Sequence, residues 1–312
     1  MQNKNHQALL YWYNKNGRHD LPWRNTNNVY HVYISEIMLQ QTQVSRVEEF
    51  FYPNFLENYP TLQALADANI DEVLANWSGL GYYTRARNLH NTAKLVYKTG
   101  LPKLAKELEK LPGIGKYTAS AICSFALKQN ISVVDTNIAR VLKRFFALLE
   151  VKDKTIWEYA DSFLNHFDPT HHNLALMDLG SLVCTPTNPK CEKCPLCDNC
   201  KGKEDPSVFT QRKKTKYENL ELFYGVYIKD NKLAVKKSTN KLYNGMYELL
   251  EVDPIDEDMI GSFKHSYTKY RIIVNLYKLD KIESKTEWLD LNKIDQAPLS
   301  SMMKKALTIC LQ

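Results

Sequence analysis

The sequence predicts a mainly α chain closed by a smaller α/β domain, and three observations carry that prediction. Apolar residues recur at three- and four-residue spacing between Gln7 and Leu182, as in Leu62, Leu65, Ala66 and again in Val73, Leu74, Trp77, which is the period of a helix face. After Glu218 the period falls to two, with Leu222, Tyr224, Val226 and Ile228 alternating as in a strand. Between these regions lie five of the seven cysteines, packed into Cys184 to Cys200.

Length and composition narrow the class. A chain of 312 residues is long enough for two domains with separate cores, and 44% hydrophobic with 24% charged residues excludes wholesale disorder. The net charge of +6 suits a polyanionic partner without proving one. No segment approaches the roughly 18 to 20 apolar residues of a membrane span. Met1 to Arg18 has no signal-peptide core, so a cytoplasmic address is expected, at the nucleoid if the source is bacterial. Only Cys123 and Cys310 stand apart from the cysteine cluster, and so tight a group in such a chain argues for a metal site over disulfides.

The elements follow in order. Gly79-Leu80-Gly81 and Pro112-Gly113 punctuate the helical region. Residues 1–203 form the predicted helical domain, and 204–217 a linker in which Arg212, Lys213, Lys214 and Lys216 stand close together. Such a run is a solvated connector or a contact to a DNA backbone. Residues 218–312 form the second domain. There Asp230-Asn231 supplies a turn before Leu233 to Val235, a hairpin signal, and Ile272, Val274 and Leu276 mark another strand. Ser300 caps a final helix that places Leu299, Met302, Met303, Leu307 and Leu311 on its apolar side.

Two segments carry chemistry. Leu111-Pro112-Gly113-Ile114-Gly115 joins the helical stretches Leu104 to Lys110 and Lys116 to Leu127. Gly113 and Gly115 let the backbone approach a partner closely, and the amides opening the second helix favour an anion, so this hairpin suits a DNA phosphate held without sequence readout. Twenty residues beyond Gly113, Val133-Val134 lead into Asp135, Thr136 and Asn137 at the start of another helical run. Asp is among the best helix caps, and taken alone Asp135 reads as one.

With Leu21-Pro22-Trp23-Arg24, Ser35 to Val44, Gly79 to Tyr83 and Met177-Asp178-Leu179-Gly180, these segments resemble the endonuclease III superfamily. Within it they resemble the A/G-specific adenine DNA glycosylases, the MutY family, over nearly all of Gln7 to Cys200. The run Glu36-Ile37-Met38-Leu39-Gln40-Gln41-Thr42-Gln43 is highly specific to the adenine enzymes. The resemblance implies a helix-hairpin-helix DNA glycosylase, a six-helix barrel with an iron–sulfur module, followed by a Nudix-like α/β domain. It implies a monomer acting on double-stranded DNA that carries a mispaired or oxidised base.

The resemblance also assigns roles. Bifunctional members have a lysine two residues past the hairpin glycine; here Tyr117 stands there, and Lys116 is displaced by about 100° around the helix, so no Schiff-base nucleophile is expected. Glu36 is the expected general acid, because adenine leaves poorly unless protonated and burial raises a carboxyl into a useful range. Asp135 is the expected carboxylate beside the sugar cation, with Tyr117 ordering the sugar or Asp135 and Asn137 holding the water or the acid. Base extrusion needs a wedge, and Gln41 and Tyr82 are the family's candidates. Trp23 and Asp178 are candidates for the base pocket, with a core tryptophan and a cap or surface carboxylate as the ordinary alternatives. Cys184, Cys191, Cys194 and Cys200 match the superfamily's [4Fe–4S] spacing, and Lys190 on that loop is a candidate phosphate contact. Cys197 is an extra thiol, and a zinc site is the inorganic alternative.

In the second domain Gly245 to Leu249 is similar to the family's Gly-x-Trp-Glu-Phe stretch. The lesion-reading triplet Phe-Ser-His aligns with Tyr267, Thr268 and Lys269, which keep an aromatic and a hydroxyl but replace the histidine. The rivals are a thymine–mismatch glycosylase, a bifunctional endonuclease III-like enzyme and a non-catalytic DNA-binding module.

Overall fold

A computed structural model describes residues 4–210, 216–240, 243–254, 259–267, 269–282 and 286–311. Its first helices are α1 (Lys4–Asn16), α2 (Val29–Met38), α3 (Val44–Arg46), α4 (Tyr52–Asn58), α5 (Leu62–Asp67), α6 (Ile70–Asn76) and α7 (Thr84–Val96). Next come α8 (Ala105–Leu108), α9 (Lys116–Phe125), α10 (Thr136–Phe146), α11 (Asp153–Phe163) and α12 (Pro169–Leu182). Strands β1 (Glu218–Val226), β2 (Ile228–Lys229), β3 (Lys232–Lys237), β4 (Tyr247–Glu248), β5 (Leu250–Glu251), β6 (Met259–Tyr267), β7 (Tyr270–Lys278) and β8 (Glu287–Asp290) precede α13 (Ser301–Cys310). No helix among the described residues is long and apolar enough to cross a membrane.

The chain divides into two compact units: Met1–Tyr52 with Lys98–Lys213, and Pro53–Tyr97 with Lys214–Gln312. In the first, α10 buries Ile138, Val141, Leu142 and Phe145 against Leu176 and Leu179 of α12, while α1 adds Leu9 and Tyr13 to the same core. Asp168 caps α12 by accepting from the His171 N–H, and Pro169 opens its first turn, where a missing N–H costs nothing.

In the second unit α5 and α6 pack on α7, with Leu65, Leu74 and Leu89 buried and Phe55 edge-on to Trp77 at 5.7 Å. The C-terminal strands form two sheets, one ordered β5-β1-β7-β6, the other β2-β3-β4 with β8 beside β3. The expected hairpin is β2–β3, and its turn residues Asp230 and Asn231 have φ of 50° and 58°, the signature of a two-residue type I′ turn. The alternating run before it is cut at Tyr227, so that β1 instead joins the other sheet, parallel to β7 with Leu222 opposite Val274. Ser300 caps α13 through the Met303 N–H, as its position predicts. Leu311, expected on the buried side, is 47% exposed because α13 ends at Cys310.

The helical stretch Pro53–Tyr97 groups with the C-terminal residues. A contiguous split into 1–203 and 218–312 does not express that grouping. Thr268 lies outside the described residues.

Candidate active site

Two helix starts and one helix end converge in the first unit. Asn28 caps α2 by accepting from the Tyr30 and His31 amides. That sets Glu36 in the last turn, 4% exposed among Ile34, Ile37 and Met38. The hairpin turns at Gly113, whose φ of 76° favours glycine, and Gly115 opens α9 with the second helical residue, Tyr117, on its inner side. The Tyr117 hydroxyl donates to Glu36 Oε2 at 2.7 Å. Asp135 does cap α10, taking the Ile138 N–H on Oδ1 at 2.6 Å, and Asn137 Nδ2 donates to its Oδ2 at 2.8 Å.

Asn137 is held in turn by Arg140, whose Nη2 donates to Asn137 Oδ1 at 2.8 Å and to the Gly180 carbonyl at 2.7 Å. A Cβ on Gly180 would stand 2.7 Å from the Asn137 Cβ, so only glycine lets α12 lie this close to the start of α10. This gives the Met177 to Gly180 segment a mechanical reason.

Glu36, Tyr117, Asp135 and Asn137 line one cavity of about 240 Å³, with Trp23 and Arg24 on its far wall. A second opening shares Glu36, Tyr117 and Asp135 and runs past Gln41 to Trp157. Burial pushes the Glu36 carboxyl up to about 7; the nearby Asp135 charge adds to this, while the Tyr117 hydrogen bond and Arg24 oppose it. Tyr117 is raised well above its ordinary range by burial and then by the Glu36 charge, so it stays a donor. Burial also raises Asp135, against the Ile138 amide and the Asn137 contacts, which favour its ionised form.

Asp178 corrects one expectation. It is neither a cap nor a surface carboxylate but fully buried, and it is the anchor of two arginines. Arg18 reaches its Oδ1 at 2.6 Å, and Arg24 spans both oxygens at 2.7 and 2.8 Å. Burial alone would raise its carboxyl, but Arg24 and then Arg18 override this and hold it below the usual range. Trp23 is 6% exposed, lines the cavity and packs edge-on to Tyr52 at 5.3 Å, so the core and pocket readings describe the same ring.

Of the two partners expected for Tyr117, the sugar or Asp135, the structure shows no bond to Asp135 among the described residues; the hydroxyl donates to Glu36. Asn137, expected to hold the water or the acid, donates to Asp135. Lys116 turns away from the cavity and sets its ammonium 3.9 Å from the Trp157 ring. Gln41 and Tyr82 share an uncommon feature, left-handed backbone at φ of 56° and 49°. In the second unit Tyr83 is the core-facing member of its pair, 2% exposed. Lys269 pairs with Glu218 at 2.5 Å, and both are about half exposed. Leu111 is half-buried and Lys190 exposed.

Residue-by-residue reasoning missed the arginines. Arg24 sat inside a quoted motif without a role. Arg140 and Arg144, one turn apart on α10, carried no reading at all, yet both bond the loop that begins at Cys184.

That loop is the cysteine cluster. Cys184, Cys191, Cys194, Cys197 and Cys200 line one small pocket with Arg144. Arg144 is 2% exposed and donates to the Thr185 carbonyl at 2.8 Å, the Pro206 carbonyl at 2.9 Å and Cys184 Sγ at 3.2 Å, so it ties both ends of the loop. Burial pushes the Cys194 thiol up to about 12 and raises Cys191 and Cys200. Among the described residues no group of three or more His, Cys, Asp or Glu side chains is set to hold a metal ion.

Residues 34–160 match the family model described as HhH-GPD superfamily base excision DNA repair protein, a span that includes Glu36, Tyr117 and Asp135. The chain is 34% identical to an adenine DNA glycosylase of Buchnera aphidicola, over 97% of this chain and 95% of that one. It is 41% identical to the human adenine DNA glycosylase over 63% of this chain and 39% of the human one. A solved thermostable thymine-DNA glycosylase aligns at TM-score 0.60 and 31% identity, covering 64% of this chain and 97% of its own. Endonuclease III in a non-covalent DNA complex shares the fold at TM-score 0.56 and 21% identity, over 65% of this chain and 98% of its own. With near full-length similarity added to a site built from the hairpin, Glu36, Tyr117 and Asp135, the chain belongs to the adenine DNA glycosylases, base excision repair enzymes of the HhH-GPD superfamily.

Proposed function

We propose that this protein hydrolyses the N-glycosidic bond of adenine mispaired with 8-oxoguanine or guanine in double-stranded DNA, without cutting the strand. The observation that carries this reading is the pair of unlike carboxyls in one cavity, Glu36 buried and raised to about 7 and Asp135 held by an amide and an asparagine. Glu36 gives its proton to N7 of the extruded adenine, which leaves as a neutral base when the C1′–N9 bond breaks. The Asp135 carboxylate stabilises the sugar cation, water adds at C1′, and the proton that water releases returns to a carboxylate. Tyr117 keeps Glu36 aimed inward and supplies no amine, which supports a monofunctional reaction. Leu111, Gly113, Gly115 and Lys116 would hold a phosphate, and Gln41 and Tyr82 would fill the vacated stack.

Cys184, Cys191, Cys194 and Cys200 are the proposed ligands of a [4Fe–4S] cluster. Five thiols around one pocket, with a buried guanidinium at Cys184, suit a thiolate-bound cluster. Its chemistry here is structural, bracing the loop that carries Lys190. The C-terminal residues are the proposed Nudix-like reader of the partner base, through Tyr267, Thr268 and Lys269. The enzyme acts as a cytoplasmic monomer in this reading.

A duplex panel tests it. Purified protein should release adenine from A:8-oxoguanine and A:G, with little from A:C, and leave T:G intact with no borohydride-trapped adduct. Thymine release from T:G would favour the activity named for the thymine-DNA glycosylase that the chain resembles.

A further inference from the structure

The second unit holds a strained residue whose surroundings explain it. Tyr82 sits at φ 49°, a conformation that a tyrosine keeps only when its neighbours enforce it. Part of the enforcement comes from the helical stretch itself. Trp77 Nε1 donates to the Gly81 carbonyl at 3.1 Å, and Arg85 Nη2 donates to the Leu80 and Gly81 carbonyls at 3.0 and 3.1 Å. The Arg85 guanidinium also lies 5.5 Å from the Tyr82 ring centre.

The rest comes from the C-terminal strands. Tyr267 closes β6 directly opposite Tyr270 of β7, so the strand register fixes where its ring stands. That ring lies 5.8 Å from the Tyr82 ring, within the range of a direct aromatic contact. The Tyr82 backbone N–H hydrogen-bonds the Tyr267 hydroxyl. Behind it Tyr243, 5% exposed, packs at 5.8 Å. The same helical stretch is tied to C-terminal residues at other points: Ser78 Oγ donates to the Leu299 carbonyl at 2.9 Å, Asp71 pairs with Lys237 at 2.7 Å, and Arg87 reaches the Asn244 carbonyl.

We infer that Tyr267 is a positioning residue for Tyr82, holding the wedge loop in its extruding conformation through a ring contact and a hydroxyl contact to the Tyr82 backbone. The family pattern has phenylalanine at this place, so the hydroxyl contact belongs to this chain. The C-terminal strands then act on base extrusion as well as on the partner base. The inference rests on the proposed function, since a wedge has work to do only where a base is extruded.

The test uses the full-length protein and Tyr267→Phe, which keeps the ring and removes the hydroxyl. Extrusion is read by the fluorescence of 2-aminopurine at the target position, opposite G and opposite 8-oxoguanine, and chemistry by single-turnover adenine release. Tyr267→Phe should lower extrusion and release by roughly three- to tenfold on both duplexes, the size of one hydrogen bond, and have no further effect in a Tyr82→Ala background. Tyr243→Phe removes a hydroxyl with no hydrogen-bond partner among the described residues and should leave both readouts unchanged, which controls for a loosened cluster. A loss confined to the 8-oxoguanine duplex would leave Tyr267 only the partner-base role already proposed, and full additivity with Tyr82→Ala would separate the two residues; either overturns the inference. A wild-type protein that releases no adenine from either duplex would instead refute the proposed function.

Discussion

At Asp135 a helix cap and the carboxylate proposed to stabilise the sugar cation are the same side chain. Asparagine also caps helices well, so Asp135→Asn separates the two duties. Its melting temperature should stay within a few degrees of wild type, while adenine release falls by about a hundred- to a thousandfold, the usual worth of a preorganised charge at a transition state. Equal losses of stability and activity would reduce Asp135 to a cap. Glu36, Tyr117 and Asp135 were singled out by the family resemblance, since alone Asp135 reads as a helix cap, and the structure brings all three to one cavity. Their partners were not legible in the sequence: whether the Tyr117 hydroxyl serves Glu36 or Asp135 depends on the crossing of α2 and α9, which no local pattern encodes.

The elements form the cavity by meeting end to face. Gly180 brings α12 against the start of α10, and Asp178, two positions earlier on α12, gathers Arg18 and Arg24, which line the cavity. Arg24 is only 6% exposed at its side chain, so it needs that carboxylate. Asp178→Asn leaves a buried guanidinium without its counter-charge and should cost about 3–5 kcal/mol of stability, measured by thermal or denaturant unfolding. A loss below about 1 kcal/mol would place the pair among solvent-relaxed ones. The helices themselves were readable from their caps and periods, as at Asp135 and Ser300. Asp178 was read as a base-pocket candidate, with a cap or surface carboxylate as the alternative, because its long-range partners at positions 18 and 24 leave no local signal.

At the scale of the whole molecule, the grouping of residues and the cysteine loop depend on contacts far apart in sequence. The β2–β3 hairpin was visible from its Asp230-Asn231 turn, a local signal. The parallel β1–β7 pairing joins strands separated by most of the C-terminal region and leaves no turn to find. The grouping of Pro53–Tyr97 with the C-terminal residues is likewise written in pairs such as Ser78 with Leu299. The cysteine spacing was legible, but the guanidinium clasping the loop was not. Purified protein should contain iron and acid-labile sulfide in equal amounts, and Arg144→Met should lose iron to a chelator faster than wild type. Stoichiometric zinc without iron would contradict the cluster assignment.

In the proposed reaction a buried, proton-bearing Glu36 drives adenine release. Its carboxyl is raised from an ordinary value near 4.5 to about 7, so the acid is loaded below that pH and empties above it. The direct measurement is single-turnover release of adenine from an A:G duplex between roughly pH 5 and 9, for wild type and Glu36→Gln. The wild-type rate should hold through the acidic range and decline as pH rises through about 7, and Glu36→Gln should be at least a hundredfold slower with that decline gone. A Glu36→Gln enzyme that keeps the wild-type rate and profile would contradict the account.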